Sequence, residues 1–189
     1  MRFFLFAMGL GCTPHLESEP RATCGGEDLE NVWDKSAPPN TLEGEGFSRG
    51  AVVHDFCMED QNGDKTSLWQ FYGDVILLDI STMWCGPCQQ IAEDVDETWK
   101  DYADQGFTYL TVLPEDIEGG TVEGEDLQQW ADEFDITAPI LADIEGYGYT
   151  VEPTRAWPVV MLIDRKMKVI VERVAPNDHA IRDAIEDAL

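Results

Sequence analysis

The chain has 189 residues, of which 43% are hydrophobic and 26% are charged, a composition typical of a globular domain and not of a disordered chain. Its 38 Asp and Glu residues outnumber 12 Lys and Arg, and the formal net charge of −26 argues against binding to nucleic acids or to anionic lipid surfaces. The apolar stretch Phe3 to Leu10 is too short to cross a bilayer as a helix, which excludes a multi-pass membrane protein.

The first residues resemble a bacterial lipoprotein signal, in which cleavage occurs before a cysteine that is then acylated. A positive charge and an apolar run precede Cys12, although Gly9 stands where such signals usually have Leu. We expect residues 1–11 to be a signal peptide and Cys12 to carry lipid; the alternative is an N-terminal strand or buried helix. Residues 12–50 are rich in Pro, Gly, Glu and Ser and are predicted to form a flexible polar tether to a folded domain over 51–189.

The folded part opens with a predicted hairpin. Ala51 to Met58 is a strand candidate, Asn62-Gly63 is a strong turn signal, and Lys65 to Tyr72 returns the chain. Val75 to Ile80 is an apolar run of strand length, as expected for a central strand that is covered on both faces.

Helical and strand patterns then alternate. Cys88 to Tyr102 has the apolar period of a helix, and Phe107 to Leu113 is the next strand. Leu127 to Phe134 forms another helical stripe, followed by a short strand at Ile140-Leu141.

The last elements close the domain. Val159 to Ile163 and Val169 to Val174 are predicted strands joined by a turn, and Asn177 is the expected N-cap of a final amphipathic helix. Strands that alternate with helices before a hairpin and a closing helix predict an α/β sandwich.

The acidic residues are unevenly distributed. Neither Lys nor Arg occurs between Lys100 and Arg155, and half of the basic residues fall between Arg155 and Arg182. A solvated acidic face is the simplest interpretation. Adaptation to a salty medium and steering of a cationic partner protein are the alternatives.

One motif indicates chemistry: Trp84-Cys85-Gly86-Pro87-Cys88 follows the buried strand and opens a helix. A thiol attacks a disulfide only as the thiolate, which a helix N-terminus stabilises. We expect Cys85 at the helix start and Cys88 one turn later, close enough to close a disulfide. Gly86 allows a tight turn, and Pro87 suits the first helical turn, where its missing N–H would have no partner. The motif therefore predicts a redox-active dithiol.

Two other interpretations of the pair carry less weight. Zinc requires four ligands, and the sequence has no second cysteine pair at ligand spacing, while His15, His54 and His179 are scattered. A purely structural disulfide between cysteines three residues apart would be easily reduced. We therefore predict no metal.

With this context the chain resembles a thioredoxin-fold protein. Val53 to Val174 is similar to the exported TlpA-like thiol-disulfide oxidoreductases, which border the thiol-specific antioxidant proteins; the similarity includes the motif, Pro139 to Asp143 and Pro158 to Asp164. The resemblance implies a thioredoxin-like three-layer α/β sandwich, in which helices cover both faces of a central mixed sheet and a hairpin extends the N-terminus.

The resemblance also implies roles for individual residues. Cys85 would be the attacking nucleophile and Cys88 the resolving thiol. Asp79, six residues before Cys85, matches the family's buried acid, whose raised pKa lets it shuttle the proton of the resolving thiol. The alternative for Asp79 is an ordinary strand-end residue bonded to backbone.

Pro158 matches the family's cis-proline, which lies beside the active-site sulfurs; the alternative is a trans proline that opens a strand. Trp157 precedes it where the family usually has a smaller residue, so the groove for substrate would be shaped differently. We expect Trp84, Trp157 and Pro158 to contact the substrate.

Cys24 and Cys57 remain after these assignments. In an oxidising compartment a leftover pair is expected to form a structural disulfide, which would pin the tether to the domain. Two independent thiols are the alternative, because connectivity does not follow from sequence.

The predicted function is an exported, lipid-anchored thiol-disulfide oxidoreductase that reduces protein disulfides. The electrons are carried by the Cys85–Cys88 pair, so no cofactor is expected. The partners are a disulfide-bearing protein, for example an apo-cytochrome c, and an upstream thiol reductant. An antioxidant redoxin that reduces hydroperoxides is one alternative, although the peroxidase pattern of Pro, Thr and Cys before an Arg is missing from the sequence. A non-catalytic binding module is the other.

Overall fold

The structure is a computed structural model that describes residues 23–24, 27–34 and 36–189. The expected signal peptide over 1–11 and the lipidation site Cys12 lie outside the described residues. Within the described part, no helix has the length and apolar character needed to cross a membrane.

Nine strands and five α-helices form in the described part of the chain. The strands are β1 (Thr23–Cys24), β2 (Glu27–Asp28), β3 (Cys57–Asp60), β4 (Lys65–Ser67), β5 (Val75–Ile80), β6 (Phe107–Leu113), β7 (Ile140–Ala142), β8 (Val159–Ile163) and β9 (Val169–Val171). The helices are α1 (Gly86–Ala92), α2 (Val95–Tyr102), α3 (Gly124–Glu133), α4 (Tyr147–Val151) and α5 (Asp178–Glu186).

Strands β3 to β9 form one mixed sheet in the order β4-β3-β7-β6-β5-β8-β9. The three strands β5, β6 and β7 run parallel at its centre, and antiparallel strands complete both sides. Parallel strands need helical crossovers that cover the sheet. The expected α/β architecture, a central mixed sheet between helical layers, is confirmed.

Two apolar clusters lie on opposite faces of this sheet, because successive side chains of a strand point to opposite sides. On β5, Val75 and Leu77 belong to the cluster that contains the α1, α3 and α5 side chains. Ile76 and Leu78 belong to the second cluster, against which residues of α4 also pack. Every residue of β5 is buried, which fits its place in the middle of the sheet.

Several element boundaries differ from the expectations. The predicted helix from Cys88 to Tyr102 is two helices, α1 and α2, separated at Glu93 and Asp94; the apolar period continues across the break and conceals it. The first predicted strand begins only at Cys57, since Val52 makes no more than an isolated bridge to Lys168.

The described part of the expected tether packs on the domain. Leu29 and Asn31 are buried, and Asn31 Nδ2 donates hydrogen bonds to Gln70 Oε1 at 2.9 Å and to the carbonyl of Lys65 at 2.7 Å. Farther along, the backbone N–H of Ser36 donates to the Gln70 carbonyl at 2.7 Å. The polar composition predicted little packing, but buried polar groups with hydrogen-bond partners provide it.

Candidate active site

The dithiol motif occupies the connection between the central strand β5 and helix α1. Cys85 is the N-cap residue of α1, with extended backbone angles, and Pro87 lies in the first helical turn. A disulfide joins Cys85 to Cys88 across a Cα–Cα distance of 5.2 Å. The backbone N–H of Cys88 points at Cys85 Sγ, at 3.2 Å. The sequence predicted the closeness of these two cysteines at a helix start, and the structure shows a backbone N–H donor directed at the Cys85 sulfur.

The two sulfurs differ in their access to solvent. Cys85 is 5% exposed, whereas Cys88 is fully enclosed. The preceding residue, Trp84, is 46% exposed and stands beside the pair as a large apolar surface. A partner molecule can thus approach Cys85 and not Cys88.

Asp79 lies in β5 beneath this pair. It is on the same face of the sheet as Val75 and Leu77, which share a cluster with both cysteines. Ser81 Oγ donates a hydrogen bond to Asp79 Oδ1 at 2.6 Å. Burial raises the pKa of Asp79 to about 7, and the hydrogen bond from Ser81 opposes that rise in part. This carboxyl group can therefore take up or release a proton near neutral pH.

Two buried hydroxyl groups flank Asp79 and were not predicted from sequence. Thr111 is paired with Asp79 in the β5–β6 register, and Tyr109 is two residues away on the same face. Neither hydroxyl has a hydrogen-bond partner among the described residues. Burial, and secondarily the charge of Asp79, raises the pKa of Tyr109. The Tyr109 hydroxyl therefore stays protonated beside the acid.

Pro158 lies across from the segment that leads to the motif. The peptide bond between Trp157 and Pro158 is cis. In the antiparallel register of β5 and β8, Val159 faces Ile80, so Pro158 comes next to the turn that begins at Ser81. Trp157 packs against both apolar clusters.

Glu115, which was not predicted from sequence, contributes a carboxylate beside the motif. Glu115 follows β6, the neighbour of β5, and it accepts a hydrogen bond from Trp84 Nε1 at 2.7 Å and one from the Tyr149 hydroxyl at 2.8 Å. Arg155 lies 3.3 Å from the same carboxylate. The sequence could have indicated Glu115 only through its position just after a strand. The carboxyl ends of adjacent parallel strands meet at one edge of a sheet, where binding sites form.

A cavity of about 380 Å³ lies beside the motif. It lies between α1, α3 and the loop after β6, and it has apolar and acidic walls. Its lining residues are Met83, Gln89, Glu93, Ile117, Gln129, Trp130, Glu133 and Phe134.

Cys24 and Cys57 lie away from the motif in sequence and on other elements. A disulfide links Cys24 of β1 to Cys57 of β3, with the Cα atoms 5.5 Å apart. It connects the segment before the domain to the edge hairpin of the sheet. Within the described residues, no three His, Cys, Asp or Glu side chains converge as they would to hold a metal ion.

Comparison with known proteins places these features in a family. The model of the AhpC/TSA family matches residues 50–172. The Thioredoxin-like protein YneN of Bacillus subtilis is 29% identical over 123 residues, covering 64% of this chain and 68% of that protein. The Thiol-disulfide oxidoreductase ResA of Geobacillus thermodenitrificans is 26% identical over 123 residues, covering 64% of this chain and 66% of that protein. The chain thus matches about two thirds of the length of these relatives.

Solved structures show the same fold. A thiol:disulfide interchange protein DsbE from Chlorobium tepidum superposes with a TM-score of 0.62 at 23% identity, covering 76% of this chain and 96% of that one. The thioredoxin domain of a thiol-disulfide oxidoreductase from Bacteroides vulgatus gives a TM-score of 0.63 at 19% identity, covering 74% and 96%. The thioredoxin-like fold expected from sequence is confirmed.

Proposed function

The chain belongs to the AhpC/TSA family and is a TlpA-like thiol-disulfide oxidoreductase, and on this premise we propose that it reduces the disulfides of protein substrates outside the cytoplasm. The observation that carries the proposal is the pair Cys85–Cys88 at the start of α1, with one accessible sulfur above a buried acid.

The reaction begins with the dithiol form. The Cys85 thiolate attacks one sulfur of the substrate disulfide, a bond forms between those two sulfurs, and the other substrate sulfur leaves as a thiolate that takes up a proton. The Cys88 thiolate then attacks the Cys85 sulfur, which restores the Cys85–Cys88 disulfide and releases the substrate as a dithiol. Two electrons pass to the substrate, and an upstream thiol reductant returns them to the protein.

Access and hydrogen bonding support Cys85 as the nucleophile. Only its sulfur can be approached from outside, and the Cys88 N–H is positioned to stabilise a thiolate there. The enclosed Cys88 is suited to an intramolecular attack, for which it needs no access to solvent.

Asp79 is suited to accept the proton of Cys88. Cys88 must lose a proton in a site from which water is largely excluded, so an internal base is needed. A carboxyl group with a pKa of about 7 is partly ionised at neutral pH and can return the proton afterwards. We assign Asp79 this role in the release step.

The surface around Cys85 provides a groove for an extended polypeptide. Trp84 forms one exposed apolar wall, and the segment Trp157-Pro158 runs next to the motif on the neighbouring strand. The cavity of about 380 Å³ is lined by Met83 and Gln89, which lie next to the motif in the chain, and it offers room for side chains that flank the substrate disulfide.

The proposal includes location and direction. We include export through a signal at 1–11 and a lipid on Cys12, both of which the sequence predicts, and the Cys24–Cys57 disulfide is in keeping with an oxidising compartment. The Gly-Pro pair between the cysteines resembles reducing thioredoxins, which favours reduction, for example of an apo-cytochrome c before haem attachment. The relatives named ResA and DsbE support an extracytoplasmic role.

Two parallel assays test the proposal. The protein over residues 23–189 should accelerate the reduction of insulin by dithiothreitol, and the Cys85→Ser variant should not. Consumption of hydrogen peroxide, measured beside it with the same reductant, should stay at the rate without protein. Peroxide consumption without insulin reduction would contradict the proposal and favour an antioxidant redoxin, and activity in neither assay would contradict it as well.

A further inference from the structure

Glu115 connects three separate segments of the chain around the redox pair. Its carboxylate accepts from the indole N–H of Trp84, in the turn before α1, and from the hydroxyl of Tyr149, on α4. The third contact is Arg155, whose guanidinium lies 3.3 Å from Glu115 Oε1. We propose that Glu115 is a positioning residue that holds the Trp84 indole as a fixed wall of the substrate groove; this rests on the function proposed above.

The burial of Glu115 makes these contacts necessary. The residue is only 4% exposed, and a buried carboxylate is tolerated where hydrogen bonds and opposite charge compensate the loss of water. Burial, and next the bond to Glu115, raises the pKa of Tyr149 to about 12, so the hydroxyl keeps its proton and donates it. Each oxygen of Glu115 therefore has a neutral donor of fixed direction.

Arg155 completes the arrangement from the outer side. It is the single Lys or Arg between Lys100 and Arg165 in the sequence, and its guanidinium also lies over the Tyr149 ring at 4.6 Å. Its backbone is in the left-handed region, with φ of 57°, which is uncommon for a residue with a side chain. Such conformations persist where the surroundings require them, often at functional sites.

The indole of Trp84 is the part of the arrangement that a substrate would meet. A large aromatic side chain that is 46% exposed would otherwise sample several rotamers, and a substrate would have to immobilise it on binding. The bond to Glu115 fixes the ring before the substrate arrives. Because the fixed ring aids the bound substrate and the transition state alike, its loss should raise KM and leave kcat nearly unchanged.

The Glu115→Leu variant tests this assignment with insulin as substrate, because leucine is of similar size and has no atom that could accept the Trp84 N–H, whereas the amide oxygen of Gln could. Ordering one side chain on binding predicts a KM about five- to tenfold higher, with kcat changed by less than about twofold. The control is Glu118→Leu, the same substitution at an exposed position of the same loop, which should leave both constants unchanged. Tyr149→Phe removes one of the two hydrogen bonds and should raise KM about two- to threefold, which keeps the test available should Glu115→Leu fold poorly.

A positioning role through Trp84 makes a prediction that general destabilisation does not. In a Trp84→Phe background, Glu115→Leu should raise KM no further, since the indole N–H is already gone. Equal rises in both backgrounds would overturn the proposal, as would a fall in kcat at unchanged KM.

A readout without substrate separates this inference from the proposed function. The Trp84 indole N–H resonance, assigned by its loss in Trp84→Phe, should exchange with solvent about tenfold faster in Glu115→Leu than in the parent protein. Unchanged exchange would refute the role of Glu115 whatever the activity. The parent protein could also show slow exchange at Trp84, faster in the Glu115 variant, and yet fail to reduce insulin. That result would refute the proposed function and leave the anchoring of Trp84 standing.

Discussion

Replacing Asp79 by Asn should stabilise the protein at neutral and alkaline pH. In the folded chain burial raises the pKa of Asp79 to about 7, whereas in the unfolded chain the carboxyl group has its ordinary value near 3.8. The folded state therefore binds this proton more tightly than the unfolded state does. Stability due to this group is highest at low pH and declines as pH rises from about 4 to about 7.

The size of the effect follows from the two pKa values. The difference between a pKa of 3.8 in the unfolded chain and about 7 in the folded chain means that the charged Asp79 lowers the free energy of unfolding by about 4 kcal/mol at pH 8. Asn removes the charge and can still accept the hydrogen bond from Ser81 Oγ, while the Thr111 hydroxyl, which has no partner in the described chain, is available to the new amide. An imperfect fit of the amide costs about 1 to 2 kcal/mol, so a net gain of about 2 to 3 kcal/mol is expected at pH 8.

Urea unfolding of the oxidised protein at pH 4.5 and pH 8 measures this difference. The gain in the free energy of unfolding for Asp79→Asn should be large at pH 8 and close to zero or negative at pH 4.5. Asp132→Asn, an exposed position on α3, serves as the control and should show little change at either pH. A stability difference that is independent of pH would refute the reasoning.

The same substitution should affect catalysis in one step. Asp79→Asn removes the proton acceptor for Cys88 and leaves Cys85 unchanged, so stopped-flow kinetics should show a slower release of substrate with little effect on the initial attack. Equal loss in both steps, or loss in neither, would contradict the role of Asp79.

Three further predictions concern the cysteines. Iodoacetamide added to the reduced protein at mildly acidic pH should label Cys85 before Cys88; the reverse order, found by peptide mass spectrometry, would exchange their roles. Replacing Cys24 and Cys57 by Ser should lower the free energy of unfolding by about 2 to 4 kcal/mol and spare insulin reduction, whereas a loss of activity at unchanged stability would contradict a structural role for that disulfide. Protein isolated from its native host should start at a lipid-modified Cys12, and intact-mass measurement of an unmodified residue there would refute the lipoprotein signal.

Much of the fold could be predicted because local sequence patterns determine many of its elements. The strands Val75–Ile80 and Phe107–Leu113 have the predicted boundaries, since both are continuous apolar runs. Asn177 caps the last helix as expected, with its side chain accepting from the backbone N–H of Ala180 at 3.1 Å. The redox pair was equally accessible to sequence reasoning, because Cys85 and Cys88 are one helical turn apart.

Helix α4 could not be predicted, because tertiary contacts stabilise it. Its sequence contains glycine and aromatic residues with low helix propensity. The side chain of Asp143 accepts hydrogen bonds from the backbone N–H groups of Gly146, Tyr147 and Gly148, at 2.6 to 2.9 Å. One carboxylate outside the helix thus satisfies the N–H groups at its start.

The contacts of Glu115 escaped prediction for a related reason. Its partners Trp84 and Tyr149 are 31 and 34 residues away in the chain, so no local spacing connects them. The packing of Leu29 and Asn31 on the domain was missed because a polar, proline-containing segment looks like a linker until its buried hydrogen bonds are known.

Capture of the mixed disulfide tests the central claim most directly. The reduced Cys88→Ser variant, incubated with insulin, should form a stable covalent adduct because no second thiol can resolve it. Mass spectrometry after digestion should locate a disulfide between Cys85 and an insulin cysteine, and dithiothreitol should reverse it. The double variant Cys85→Ser with Cys88→Ser should form none. Absence of an adduct with the single variant, or an adduct on a different residue, would contradict Cys85 as the nucleophile of a protein-disulfide reductase.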